Sequence, residues 1–141
     1  MPPVYWSDTY RIGHASIDQH HQELVQDLEL LQAAIATADN RTQILGLFDE
    51  WLDQFARHAQ AEESLMAHLR QPAGIAHRHA HCAEHADFLH QAMDLRNDIA
   101  RGRDQIRAME TLSMQLIAFD LIRRDFEMIG LLLREGLVLE D

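Results

Sequence analysis

Apolar residues recur at alternating steps of three and four along four stretches of this chain, which is the spacing of one face of an α-helix. On the first stretch this face contains Ile17, His21, Leu24, Leu28, Leu31 and Ile35. On the second it contains Leu47, Trp51, Phe55, His58, Glu62, Leu65 and Leu69. The third carries His81, His85, Phe88, Ala92, Leu95 and Ile99, and the fourth carries Ile106, Met109, Leu112, Leu116 and Phe119 and leads on to Asp120 and Asp125. Because short connections favour antiparallel neighbours, the pattern predicts an all-α, up-down-up-down four-helix bundle.

Residues that typically begin or end helices set the predicted boundaries. The predicted starts are a capping box of Ser16 with Gln19 and an N-cap at Thr42, and the predicted ends are Pro72 with Gly74, Gly102 and Gly136. The fourth helix is expected to run from about residue 104 to about residue 134. Residues 1–15 lack helical periodicity and are predicted to form a non-helical arm. The whole chain, residues 1–141, is expected to be a single domain.

Composition and charge narrow the class of protein. The formal net charge of −11 argues against nucleic acid and anionic membrane surfaces as partners, and favours a monomer or small homo-oligomer. A single cysteine excludes an internal disulfide and a cysteine-based zinc site. The first residues do not have the pattern of a signal peptide, and no apolar run is long enough to span a bilayer, so a cytoplasmic location is expected.

Polar residues interrupt the apolar faces at positions where a bundle normally has leucine. They are His21, His58, Glu62, His81, His85 and Asp125. One histidine on such a face is usually hydrogen-bonded within the core. Several helices that each turn such donors inward, two of them as i, i+4 pairs, instead favour a metal site. Imidazole and carboxylate without thiolate suit iron, manganese or zinc, and two carboxylates can bridge two metal ions.

The motifs around these positions resemble those of bacterial hemerythrins and hemerythrin-like proteins. The similar segments are Trp6–Gly13 with Ile17–Leu24, His58–Glu63 with Met66, His81–Leu89, and Leu116–Asp125. The resemblance covers nearly the whole chain. It implies a hemerythrin-like domain with two non-haem iron ions, with His21 and His58 on one, His81 and His85 on the other, and Glu62 and Asp125 bridging them. It further implies binding of O2, or of another small diatomic molecule or peroxide, for storage, delivery or sensing.

Asp120 departs from the family pattern, which has a fifth histidine ligand at this place, five residues before the bridging aspartate. If Asp120 ligates a metal it adds negative charge there, and if it turns away it opens a position to water. Either change favours oxidation of the site, so an oxidase, a peroxidase or an enzyme that scavenges nitric oxide or peroxide is the alternative function. Asp120 paired with a nearby arginine, Arg123 or Arg124, is the structural alternative. A site that holds zinc or a single metal for structure only also stays open.

The segment before the third helix, Pro72–Ala80, is longer than is usual in the family and contains His77. A rival register would make His77 and His81 the ligand pair of this helix. The register with His81 and His85 is preferred because it puts Phe88 at the spacing that the family shows. His77 then lies one turn above His81 and could replace the missing histidine, although a solvent-exposed His77 is the expectation. Four further histidines are predicted to lie at the surface: His14, His20, His68 and His90.

Overall fold

A computed structural model describes residues 6–37, 40–102 and 106–137, with the side chains of 106–108 and 118–122 excepted. Three long helices come first: α1 (Ala15–Ala36), α2 (Arg41–Met66) and α3 (Pro72–Ala100). The fourth rod consists of three segments in continuous succession: α4 (Ile106–Met114), a π-helical stretch (Gln115–Arg124) and α5 (Asp125–Arg134). These ranges contain no strand. The predicted all-α four-helix bundle is confirmed.

The four rods close on one another around a divided core. Helix α2 packs against α1 and α3, while α4 contacts both α1 and α3, and α5 contacts α3. The larger apolar cluster includes Leu24, Trp51, Phe55, Phe88 and Leu116. The smaller one includes Ile17, Met66, Leu69, Met128 and Leu132. Along α1, α2 and the fourth rod, buried polar residues lie between the members of the two clusters, so the bundle has a polar layer across its interior.

The helix starts differ from those predicted. The Nδ1 atom of His14 accepts from the backbone N–H of Ile17 at 3.2 Å, so His14 is the N-cap of α1 and the predicted capping box at Ser16 is wrong. His14 is 5% exposed, which also corrects its predicted surface position. A buried imidazole can serve as a cap because its unprotonated ring nitrogen is an acceptor, as the usual capping oxygens are.

The starts of α2 and α3 also lie elsewhere. The Oδ1 atom of Asn40 accepts from the backbone N–H groups of Thr42 and Gln43, so Asn40 rather than Thr42 is the N-cap of α2. Helix α2 ends at Met66, and Pro72 is the first residue of α3 instead of a residue that ends α2. Proline suits that position because its fixed φ is helical and its missing N–H would have no partner within the helix.

The segment before α1 packs as an arm on the bundle. Asp18 accepts from the backbone N–H groups of Ile12 at 2.7 Å and Gly13 at 3.2 Å, which ties the arm to the first turn of α1. Gly13 has a φ of +94°, a conformation that favours glycine. Apart from a 3-10 turn at Asp8–Tyr10, residues 6–14 are non-helical as predicted, and residues 1–5 lie outside the described residues.

The π-helical stretch changes which face of the fourth rod is buried. Leu116 and Asp125 are both 0% exposed, although nine residues apart in an α-helix they would face opposite sides, since each residue turns the helix by about 100°. A π-helix contains more residues in each turn because it bonds i to i+5. The stretch therefore returns Asp125 to the buried face. The predicted fourth helix is thus helical over 106–134, but its middle stretch is π-helical and not α-helical.

At one end of the bundle, the residue after α5 contacts the connection between α2 and α3. Glu135, just after α5, accepts from the backbone N–H groups of Arg70 at 2.7 Å and Gln71 at 3.2 Å, directly before α3. A Cβ atom on Gly74 would come within 2.5 Å of Glu135 Oε2, so glycine lets the carboxylate approach α3. Gly102 and Gly136 have positive φ and follow α3 and α5, as predicted. Within the described ranges, no helix is both long and apolar enough to cross a membrane.

Candidate metal centre

Each rod of the bundle sends at least one metal-binding side chain into the polar layer. His21 comes from α1, and Asp125 is the first residue of α5. Helices α2 and α3 each supply an i, i+4 pair, which places both members on the same face. All of these side chains are at most 2% exposed: His21, His58, Glu62, His81, His85 and Asp125. The structure thus brings together the six residues that interrupt the apolar faces in the sequence.

One half of the centre is formed by His21 and His58. The Nε2 atom of His21 lies 2.6 Å from Asp125 Oδ2 and 3.6 Å from Glu62 Oε2. The Nε2 atom of His58 lies 3.2 Å from the same Glu62 oxygen and 3.5 Å from the same Asp125 oxygen. One donor atom from each of these four residues lies within 4.8 Å of the others, which is close enough for them to share one metal ion.

The other half is formed by His81 and His85 and uses the opposite oxygen atoms of the same carboxylates. The Nε2 atom of His81 lies 2.9 Å from Asp125 Oδ1 and 3.5 Å from Glu62 Oε1. The Nε2 atom of His85 lies 3.1 Å from Glu62 Oε1. These four residues form a second set of donors within 4.8 Å of one another. Glu62 and Asp125 therefore belong to both halves, with one oxygen atom turned to each pair of histidines.

Several donor atoms of the cluster lack a partner that a bound cation would supply. In the described part of the chain, both oxygen atoms of Glu62 and the Nε2 atom of His58 are buried without a hydrogen-bond partner. A buried polar group that lacks a partner costs free energy, and a buried carboxylate costs more. A metal ion would satisfy these atoms at once, because imidazole nitrogen and carboxylate oxygen are the ligand types that iron, manganese and zinc accept.

The charges of the cluster are strongly interdependent. Burial would lower the pKa of His58, but the Glu62 and Asp125 carboxylates outweigh it and hold that pKa well above its ordinary value. The pKa of His21 is raised in the same way, against burial, by Asp125 and Glu62. Conversely, burial would raise the pKa of Glu62, but His58, His21 and His81 hold it well below its ordinary value. The centre therefore keeps a carboxylate ionised in the interior, as metal binding requires.

Comparison with known proteins identifies this arrangement. Residues 13–127, which include all six donors, match the family model described as the Hemerythrin HHE cation binding domain. The chain belongs to the hemerythrin family. It is 28% identical to the bacteriohemerythrin of Stenotrophomonas maltophilia over 125 residues, which are 89% of this chain and 78% of that relative. No solved structure matches the chain. Family membership and the buried cluster together support a metal cofactor at this centre.

The two halves of the hemerythrin centre differ in what lies behind their histidines. His81 Nδ1 is 2.9 Å from His77 Nε2, and His85 Nδ1 is 3.0 Å from Glu63 Oε2. In the described part of the chain, by contrast, the Nδ1 atoms of His21 and His58 are buried without a hydrogen-bond partner. Partners of this kind fix the orientation and tautomer of an imidazole. His81 and His85 therefore have partners outside the cluster, whereas among the described residues the Nδ1 atoms of His21 and His58 have none.

Aromatic rings form a wall on one side of both halves. The ring of Phe55 lies 6.0 Å from that of His58 and 5.8 Å from that of His85, between centroids. Phe88 packs on Phe55 at 4.7 Å, and Trp51 stacks on Phe55 at 6.0 Å. The Nε1 atom of Trp51 donates to the Leu24 carbonyl, so this ring is fixed in place. The wall excludes water from this side of the centre because it continues into the larger apolar cluster.

The remaining predictions about site residues have mixed outcomes. His77 is 9% exposed, so its expected exposure is wrong, and among the described residues it belongs to neither set of donors. His20 is half-buried, with its ring 5.9 Å from that of His58, rather than at the surface. His68 and His90 are exposed, as predicted.

The side chain of Asp120 lies outside the described residues, so its role as a ligand stays a prediction. The sequence analysis did not single out Glu63, which directly follows Glu62 and whose carboxylate lies 3.0 Å from His85 Nδ1 on α3.

Proposed function

We propose that this hemerythrin-family protein holds two non-haem iron ions and binds O2 at them. The proposal rests on the way in which the two oxygen atoms of each carboxylate face different pairs of histidines. Glu62 and Asp125 each turn one oxygen atom to one pair of histidines and the other oxygen atom to the second pair. A carboxylate that serves one metal ion has no need of this arrangement, whereas one that bridges two requires it.

The residues of this chain would divide the work as follows. His21 and His58 would hold one iron, His81 and His85 would hold the other, and Glu62 and Asp125 would bridge them. Two ferrous ions held there would supply reversible two-electron chemistry towards a bound O2. The apolar wall of Phe55, Phe88 and Trp51 would admit a small uncharged ligand and hinder larger, charged oxidants. The bacteriohemerythrin relative supports the assignment, since its name is that of this class of protein.

The test is metal content followed by exposure to O2. The purified protein is loaded with ferrous iron anaerobically, desalted and analysed, and the result expected is two irons per chain. The reduced protein is then mixed with O2, and we expect a visible absorption band that disappears when the O2 is removed. One iron per chain, or zinc in place of iron, would contradict the dinuclear proposal. Two irons that oxidise at once, without a reversible band, would contradict O2 binding.

A matched variant separates specific from adventitious iron. His90 lies on α3, the helix that bears His81 and His85, but its side chain is 77% exposed and it belongs to neither set of donors among the described residues. His90→Gln should therefore keep both irons and the reversible band. Loss of iron in this variant would mean that the metal of the purified protein is bound at the surface.

A further inference from the structure

His77 makes a contact that the ligand assignment does not use. Its Nε2 atom lies 2.9 Å from the Nδ1 atom of His81, and the two rings meet edge to face with centroids 5.0 Å apart. His77 is 9% exposed and sits one turn before His81 on α3. The side of His81 that faces away from Glu62 and Asp125 is thus occupied by a second imidazole.

The far side of His77 leads to charged groups near the surface. Its Nδ1 atom lies 3.7 Å from Glu127 Oε2 on α5. Glu127 in turn contacts Arg124, whose guanidinium lies 3.2 Å from it and 2.6 Å from Glu84 Oε1 on α3. Glu127 is therefore held in place by a cation, and its negative charge faces the Nδ1 side of His77.

The position of the Glu127 carboxylate favours one placement of the hydrogen atoms on the rings of His77 and His81. A carboxylate accepts but does not donate, so Glu127 favours a hydrogen on His77 Nδ1. A neutral imidazole with hydrogen on Nδ1 has a lone pair on Nε2, which can accept from His81 Nδ1. With its hydrogen on Nδ1, His81 has a lone pair on Nε2, the atom that faces Glu62 and Asp125. That is the tautomer in which Nε2 can ligate a metal ion.

We propose that His77 is a positioning residue that fixes the tautomer and ring orientation of His81, with Glu127 fixing those of His77 in turn. This inference rests on the proposed function, because it requires His81 to be a metal ligand. It gives His77 a role other than that of a replacement ligand. A hydrogen-bond partner behind a ligating histidine also raises its basicity, and removal of such a partner commonly costs about 10- to 100-fold in metal affinity.

Substitutions at His77 distinguish positioning from ligation. Glutamine can accept from His81 Nδ1 through its amide oxygen and donate towards Glu127 through its nitrogen, but it is a poor metal ligand. Leucine can do neither and fills a similar space. We expect His77→Gln to bind metal within a few-fold of the parent protein and His77→Leu to bind the ion of the His81 and His85 half about 10- to 100-fold less tightly. His79→Leu, at an exposed site on the same turn, is the matched control and should have no effect.

Cobalt(II) is the probe, because its visible spectrum reports the ligands around each ion. Protein is titrated with Co²⁺ against a competing chelator, which gives two dissociation constants and two spectra. Positioning predicts that the spectrum of His77→Gln matches that of the parent protein and that the affinity of His77→Leu falls. Equal affinities for both variants and the parent would overturn the inference. So would loss of a ligand-field band in both variants, since His77 would then be a ligand.

A failure of the proposed function would be seen elsewhere in the same titration. If the parent protein takes up fewer than two Co²⁺ ions, the dinuclear centre itself is in error. If it takes up two and His77→Leu behaves like the parent, only the role of His77 is in error. Circular dichroism of each metal-free variant confirms that helix content is retained, so that a change in affinity is not due to misfolding.

Discussion

The two halves of the centre contain the same donors but are built differently. Each has two imidazoles and one oxygen atom from each of Glu62 and Asp125. In the His81 and His85 half, His77 and Glu63 lie behind the ligand rings at hydrogen-bond distance. In the half of His21 and His58, the Nδ1 atoms have no such partner among the described residues. The rings of His81 and His85 are therefore oriented before a metal ion binds, and those of His21 and His58 are less so.

This difference predicts an order of metal binding. A half-site whose rings are already oriented loses less conformational entropy when a metal ion binds. This effect favours the His81 and His85 half. We therefore expect this half to bind the first ion, and substitutions in each half test this order.

The largest effect is expected from Glu62→Ala, which removes a donor from both halves. Each half would keep only two histidines and one oxygen atom, and Asp125 alone would join them. We expect the variant to retain no stable pair of ions, measured as iron per chain after desalting. Gln60→Ala, at an exposed site of α2, is the control and should retain two ions. Two irons in the Glu62 variant would show that Glu62 is not shared.

Single histidine substitutions should divide the centre into its halves. We expect His58→Ala to retain one ion at the His81 and His85 half, because all four donors of that half remain. His85→Ala should retain an ion at the other half, but about 10-fold less tightly, because that half lacks outer partners. Native mass spectrometry gives the number of ions, and chelator competition gives the affinities. Equal affinities for the remaining ion in the two variants would remove the proposed asymmetry.

A smaller effect is expected at Glu63, whose side chain is 40% exposed. Glu63→Ala should weaken binding at the His81 and His85 half by about 10-fold, because it removes the partner of His85 Nδ1 but no ligand. The ion at the His21 and His58 half should be unaffected. Glu50→Ala, another exposed glutamate of α2, is the control. If both ions were weakened equally, Glu63 would act through the net charge of the protein rather than through His85.

The donor residues could be predicted from the sequence because they break a strong pattern. His21, His58 and Glu62 occupy positions that helical periodicity assigns to the core, and their chemistry differs sharply from that of leucine. The bundle could be predicted for the same reason. The position of a residue in the helical pattern follows from the sequence alone and does not require knowledge of how the helices pack.

Three features could not be predicted in this way. The π-helical stretch before Asp125 has no sequence signature, because it depends on which face of the fourth rod the neighbouring helices bury. His77 is buried and lies beside Glu127, which comes from a rod 50 residues later in the chain. His14 caps α1 by a ring nitrogen, which capping rules based on side-chain oxygen overlook. Each depends on contacts between elements rather than on the order of residues within one.

The smallest effect, a dependence on pH, should have opposite signs with and without metal. In the metal-free protein, the raised pKa of His58 stabilises the fold below its ordinary value of 6.5, and this contribution is lost as the pH rises through the folded pKa. The lowered pKa of Glu62 stabilises above 4.5 and is lost as the pH falls through the folded pKa. The cluster thus contributes fully between these values. Metal binding instead strengthens as the pH rises, because the imidazoles must be unprotonated.

The difference in Tm between loaded and metal-free protein should therefore widen as the pH is raised above 6.5. Melting curves at a series of pH values, with and without iron, measure this difference. In metal-free His58→Gln the loss of stability above that pH should be reduced, because the group that releases a proton is gone, while His90→Gln should behave like the parent. An unchanged loss in His58→Gln would place the proton on another group of the cluster and would contradict the raised pKa of His58 as the source of this pH dependence.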